Sequence, residues 1–235
     1  AGETDFADSG GFLLDCMPLG DKNIIYKEDQ VWTQQYIGGN FIFQFDRVFN
    51  ELGMLAPRCM GAFNIGEGPR HFVVGADDIV IHDGQSAASV ITSKVRKTVF
   101  NEIDSAYYIR SYVVPNFPER EMWFCYPTSG ALWPNKALIW NVITGAVSFR
   151  DLPLVPHIAH GIVNPSISDV WDNASQDVVW DNITQNYAWG ERPFQPSQRR
   201  LLMADINNTL LLGADRTNQF NGSNYTAYVE RTGLS

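Results

Sequence analysis

Short runs of β-branched and aromatic residues, each closed by Gly, Asn or Asp, recur along the chain and predict strands rather than helices. In NIIYKEDQVWTQQYIGGNFIF a turn at Glu28 and Asp29 separates Ile24, Ile25 and Tyr26 from Val31, Trp32 and Tyr36, so two antiparallel strands are expected. HFVVGADDIVIHDG repeats the plan, with Phe72 to Val74, a turn over Gly75 to Asp78, Ile79 to Ile81, and a closing Asp83-Gly84. EMWFCYPTSGALWPNKALIWNVITGAVSFRDLP reads as a three-strand meander through Met122 to Tyr126, Ala137 to Trp140 and, past Thr144-Gly145, Ala146 to Phe149. RRLLMADINNTLLLGADRTNQFNG echoes the second patch with Leu201 to Met203, a turn at Asn207-Asn208, Leu210 to Leu212, and a closing Asn221-Gly222.

Ile24 to His71 spans 47 positions and His71 to Glu121 spans 50, close to the ~40 to 50 residue period of propeller blades. A lone sheet cannot bury both its faces, so blades cover one another. The expected fold over 1–235 is therefore all-β, a propeller-like series of antiparallel meanders that closes unusually or with blades from sequence outside this chain. Two stretches read as helical connectors. Ser93 can cap a run in which Val95, Val99 and Ile103 form one stripe, and Asp46 to Leu52 stops at Gly53. The stretch 153–198 carries Pro153, Pro156, Pro165, Pro193 and Pro196 with few strand signals, and is expected to be a long loop insertion. Its Trp171, Trp180 and Trp189, nine residues apart, suit packing between blades or subunits, or stacking on sugars.

With 235 residues, 45% apolar and 13% aromatic, the chain is expected to be globular with a buried core. No stretch approaches the ~18 consecutive apolar residues of a membrane-spanning helix, so no membrane insertion by this segment is expected. The opening AGETDFADSGG, without Met and without a basic or apolar leader, predicts a piece of a longer protein. Cys16, Cys59 and Cys125 are widely spaced and odd in number, which predicts free buried thiols and synthesis in a cytoplasm. A net charge of -9 disfavours tight binding to nucleic acid, which depends on Lys and Arg neutralising phosphates. DNA is expected to slide past such a surface.

Candidate chemistry is sparse. Asp77, Asp78 and Asp83 lack the loop length and bidentate glutamate of an EF-hand and read as turn residues. His157 and His160 form HxxH without the glutamate of HExxH or a third ligand, and read as loop histidines, while His71 and His82 read as strand ends. There is no GxSxG, phosphate-binding loop or dinucleotide fingerprint. Sequons at Asn173, Asn182, Asn207, Asn221 and Asn224 read as polar turns. No catalytic, cofactor-binding or metal residue is expected. A glycosidase, needing only two carboxylates at a set separation, stays open among 26 acidic residues.

The phrases IIYKEDQVW, YIGGNFIFQF, LAPRCM, RHFVVGADDIVIHDGQS, REMWFCYP, KALIWNVITGAVSFRDLP and YVERTGL, in this order and spacing, resemble the tail nozzle (tail tubular protein B) family of short-tailed bacteriophages. The likeness covers nearly the whole chain and matches the central propeller portion of a longer family protein. It implies a structural virion component made in the bacterial host cytoplasm and carried in the viral tail. Such proteins form a six-fold ring that contacts portal, adaptor and tail fibres, seals the packaged genome and passes double-stranded DNA on ejection. It implies no enzyme and no cofactor. The positions matching the blade motif, Asp78, Asp83, Gly84, Trp123, Trp140, Asp151, Asn221 and Gly222, are implied to be structural. Two other readings are a host-surface glycan-binding or glycan-hydrolysing propeller and a protein-binding scaffold propeller.

Overall fold

The computed structural model describes residues 10–39, 42–64, 66, 68–162, 199–207, 210–213, 219–220 and 223–224. Their regular structure is almost entirely antiparallel strands, hydrogen-bonded within each sheet to their neighbours in sequence. β1 (Leu13–Leu19), β2 (Lys22–Lys27), β3 (Val31–Tyr36) and β4 (Phe43–Phe49) form the first four-stranded meander. A second follows with β5 (Met60–Asn64), β6 (Pro69–Val74), β7 (Ile79–His82) and β8 (Ala87–Ser89). After the helix α1 (Ser93–Glu102) and a short 3-10 turn at Tyr108–Arg110 comes the third, β9 (Tyr112–Asn116), β10 (Glu121–Tyr126), β11 (Lys136–Asn141) and β12 (Val147–Asp151). A fourth sheet has three strands, β13 (His157–Ile162), β14 (Arg199–Ala204) and β15 (Leu210–Gly213), and β16 (Gln219–Phe220) pairs with β17 (Ser223–Asn224). The all-β reading of the sequence holds.

The sheets pack face to face in chain order, and the third displays the rule most fully. Its side chains divide by parity, as a pleated strand requires. Val113, Met122, Phe124, Tyr126, Leu138 and Trp140 join a core with residues of the first two sheets. Tyr112, Val114, Trp123, Cys125, Ala137 and Ile139 join Leu152, Val155, Ile158, Leu201 and Met203 toward the fourth. Both faces are thus buried, which is why EMWFCY and KALIWN are nearly continuous apolar runs with no alternation. In the first sheet, Ile24, Tyr26, Val31 and Thr33 are buried, whereas Ile25, Trp32 and Gln34 on the opposite face are only half-buried. First strands lie near one another as well, β9 touching both β5 and β13.

Several sequence expectations are corrected. Asp46 to Leu52 is not helical, because Phe43–Phe49 pairs with β3 along its length, from Tyr36 opposite Phe43 to Val31 opposite Phe49. The cap of α1 is Thr92, whose hydroxyl accepts from the Val95 N–H at 3.4 Å, and Ser93 is the first helical residue. The stretch 153–198 does not begin as a loop throughout, since His157–Ile162 is a strand that pairs with β14. Residues 163–198 of that stretch, with Trp171, Trp180 and Trp189, lie outside the described residues.

Candidate functional site

The sequence divides the apolar load among sheets, and the chemistry collects at the seams between them. At the seam of the first and second sheets, Tyr26 on β2 meets His71 on β6 and His82 at the end of β7. The Tyr26 hydroxyl lies 2.7 Å from His71 Nδ1 and 2.7 Å from His82 Nε2, and all three side chains are buried. The outer partners fix every proton. The Pro18 carbonyl, 3.0 Å from His71 Nε2, can only accept, so Nε2 carries the hydrogen and Nδ1 accepts from the Tyr26 hydroxyl. The Gly84 N–H donates to His82 Nδ1 at 3.2 Å, so His82 Nε2–H donates to the Tyr26 oxygen. The relay is fully satisfied with both imidazoles neutral. Burial holds both histidines below their ordinary pKa, with His71 a second depressing influence on His82, which is lowered to about 4. Burial likewise pushes the Tyr26 hydroxyl well up, with Asp15 adding to the effect.

The sequence places His71 and His82 at strand ends. His71 instead sits inside β6, directly opposite His82 in the register. A histidine among apolar residues in two strands of one patch is the available signal, and the tyrosine 45 positions earlier gives none.

Arg58 is a second residue that the sequence does not single out. It takes a left-handed backbone with φ 67°, its N–H donates to Asp15 Oδ2 at 3.1 Å, and its carbonyl accepts from Val113 at 2.8 Å. Its guanidinium lies 5.6 Å over the Tyr112 ring and donates to His157 Nδ1 at 3.4 Å. One residue, through its backbone to β1 and β9 and its guanidinium to β9 and β13, therefore links three leading strands from a position just before β5.

The motif positions sit as follows. Asp78 ends the β6–β7 turn, where Oδ1 accepts from the Ile79 N–H at 2.8 Å and the Ser89 hydroxyl at 2.9 Å, and Oδ2 pairs with Arg96 at 2.5 Å. Asp83 closes the β7–β8 turn by accepting the Ser86 and Gln85 N–H groups at 2.8 Å each, and these hold its carboxyl below the usual range. Gly84 has φ 84°, and a Cβ there would press on Leu19. Trp123 donates to Glu121 Oε2 at 2.8 Å beneath the Arg150 guanidinium, and Trp140 stacks on Phe72 at 5.6 Å. Asp151 ends β12 opposite Lys136. Asn221 and Gly222 lie outside the described residues. A pH consequence follows for Asp83. Its depressed carboxyl adds stability that is present above the unfolded value near 4 and is lost as pH falls through the folded value. Asp83→Asn is therefore expected to flatten the decline of melting temperature below about pH 4, as read by thermal denaturation in an acid series.

Clefts open between the sheets, two of them among the described residues. One of about 560 Å³ is lined by Phe63, Asn64, Asn116, Phe117, Arg120 and Glu121 among others. Glu121 spends one oxygen on Asn116 and Trp123, and it is the one carboxylate among the described lining residues, whereas glycoside hydrolysis uses two. The other, about 880 Å³, gathers Glu28, Asp29, Glu51, Asp77 and Asp78 with Arg96, and no tryptophan is among its described lining residues.

The HxxH pair does not converge. Three positions apart on β13, the two side chains leave opposite faces: His157 reaches Arg58, and His160 stacks on Phe117 at 5.2 Å. Both are strand residues rather than the loop residues expected. Among the described residues no group of three or more His, Cys, Asp or Glu is placed to hold a metal ion, and no helix is long and apolar enough to cross a membrane. All three thiols are free; Cys59 and Cys125 are buried as expected, but Cys16 is exposed. Burial pushes the Cys59 thiol up to about 12. In comparisons with known proteins, no family model matches the chain and no curated protein matches it.

Proposed function

We propose that this chain is a structural segment of the tail nozzle of a short-tailed bacteriophage, a rigid wall of the DNA ejection channel rather than an enzyme. The observation that carries the reading is the architecture: successive antiparallel meanders whose first strands begin at Leu13, Met60, Tyr112 and His157, each sheet packed by its face against the next. Propeller blades are built in this way, and the arrangement agrees with the likeness of the sequence phrases to the nozzle family. A wall of this kind resists deformation because buried side chains pack the faces between its sheets.

The charge supports the same role. With 26 acidic against 17 basic residues, the chain repels the phosphate backbone and avoids the salt-dependent retention that basic grooves produce. In this reading the chain assembles into a ring with copies of itself, contacts adaptor or portal proteins and tail fibres, and lets duplex DNA pass without holding it. Immunogold labelling of purified particles with antibody against this chain tests the assignment. Gold on the tail axis below the head supports it, and gold on peripheral fibres or none on the particle contradicts it.

A further inference from the structure

We propose that the Tyr26, His71 and His82 relay makes the seam between the first and second sheets an acid-sensitive latch, which lets the first meander open away from the second when the pair takes up a proton. The inference is independent of the viral role.

The geometry requires neutral imidazoles. A proton added to His82 goes to Nδ1, where the Gly84 N–H already points, so donor faces donor. A proton added to His71 goes to its own Nδ1, where it turns an acceptor for the Tyr26 hydroxyl into a second donor beside His82 Nε2–H. The phenol hydrogen then has no acceptor in the relay. Either event also places a charge in an apolar seam, with the Phe49 ring edge-on to His82 at 5.5 Å and the two imidazole centroids 5.5 Å apart. Buried charge without a partner is costly.

Few charged groups offset this. Asp83, next to His82 in the chain, attracts the imidazolium weakly against burial and His71, and its oxygens are taken by Ser86 and Gln85. From β1, Asp15 acts on Tyr26 and accepts from the Cys16 and Arg58 N–H groups. On β2, Lys27 is buried beside Tyr26 and of the wrong sign to help. On β4, Asp46 is exposed and engages Gln44. The relay also joins three separate backbone segments, at Pro18, Tyr26 and the His71 to Gly84 hairpin, so its failure loosens one seam and leaves the separate core between the third and fourth sheets untouched.

The direction of the pH effect follows from burial. Both histidines are depressed in the fold relative to about 6.5 in an open chain, so the opened state takes up protons first. The latch is closed above about 6.5 and weakens as pH falls, by up to tenfold in the closed-to-open ratio per pH unit for each proton.

Hydrogen exchange with mass spectrometry on the full chain at pH 7 and pH 5, corrected for intrinsic rates, reads the latch. The expected result is a loss of protection in β2 and β6 of at least tenfold while β10 and β11 keep theirs, and a smaller loss in His82→Gln, whose amide can still donate to Tyr26. Equal loss in all strands, or unchanged protection in β2 and β6, overturns the proposal. Should His82→Gln fail to fold, histidine NMR of the wild-type chain decides. Neutral His71 and His82 signals at pH 5.5 support the latch, and titration of both near 6.5 with the fold intact overturns it.

Discussion

Gly53→Ala is expected to be strongly damaging, costing about 3 kcal/mol or more, or preventing folding altogether. The connector from the first meander to the second runs directly over the β2–β3 turn. Met54 N–H donates to the Lys27 carbonyl at 3.0 Å, and a methyl group on Gly53 would land on the Glu28 carbonyl and the Asp29 nitrogen. Both obstacles are backbone, so no rotamer relieves the overlap and the two sheets have to separate. Chemical denaturation measures the loss. Gly130, where an added methyl group would meet no atom within 4 Å but whose φ is 84°, provides the contrast: Gly130→Ala carries only the left-handed penalty of about 1 kcal/mol.

Trp123→Ala and Trp140→Ala are expected to cost about 3 to 5 kcal/mol each. The two residues lie on adjacent strands of the third sheet but on opposite faces. Trp123, 1% exposed, packs toward the fourth sheet with its N–H on Glu121. Trp140, 5% exposed, stacks on Phe72 and meets Phe63 edge-on at 5.6 Å in the second. Urea denaturation of both variants tests whether the sheet is buried twice over. A sheet with one solvated face would make one of the two substitutions mild, under about 1 kcal/mol.

Much of this fold is written in local pattern. The turns at Glu28-Asp29 and at Gly75 to Asp78 stand where Asp and Gly place them, and the strands of greatest apolar density, β10 and β11, are plain in the sequence. The strands that local pattern misses are those whose residues send mixed signals. β1 and β9 contain Pro18 and Pro115, which a ladder tolerates because each strand lies at the edge of its own sheet. β8 is three small exposed residues, and β5 has a glycine, Gly61, that lets Met122 and Val113 of the next sheet approach. The stretch from Asp46 to Leu52 reads as a helix because Gly53 follows it as a helix stop. In the structure Asp46 to Phe49 belong to β4, a strand whose partner β3 supplies the missing hydrogen bonds.

The seam chemistry is hidden for a different reason. Tyr26 is separated from His71 by 45 positions and from His82 by 56, and no spacing rule links a tyrosine in one meander to histidines in the next. The turn carboxylates are legible, because Asp83 acts on N–H groups two and three residues ahead. Arg58 is not, since its left-handed backbone answers to the strands around it rather than to its own side chain.

The most direct test of the proposed nozzle role is a cryo-electron microscopy reconstruction of short-tailed phage particles, searched for this chain. The account predicts four-stranded meanders arrayed radially, in rings of identical copies around the tail axis below the head, with the third sheet sandwiched between its neighbours. Density placing the chain in a peripheral fibre, or sheets folded into a two-layer sandwich away from the axis, would contradict it.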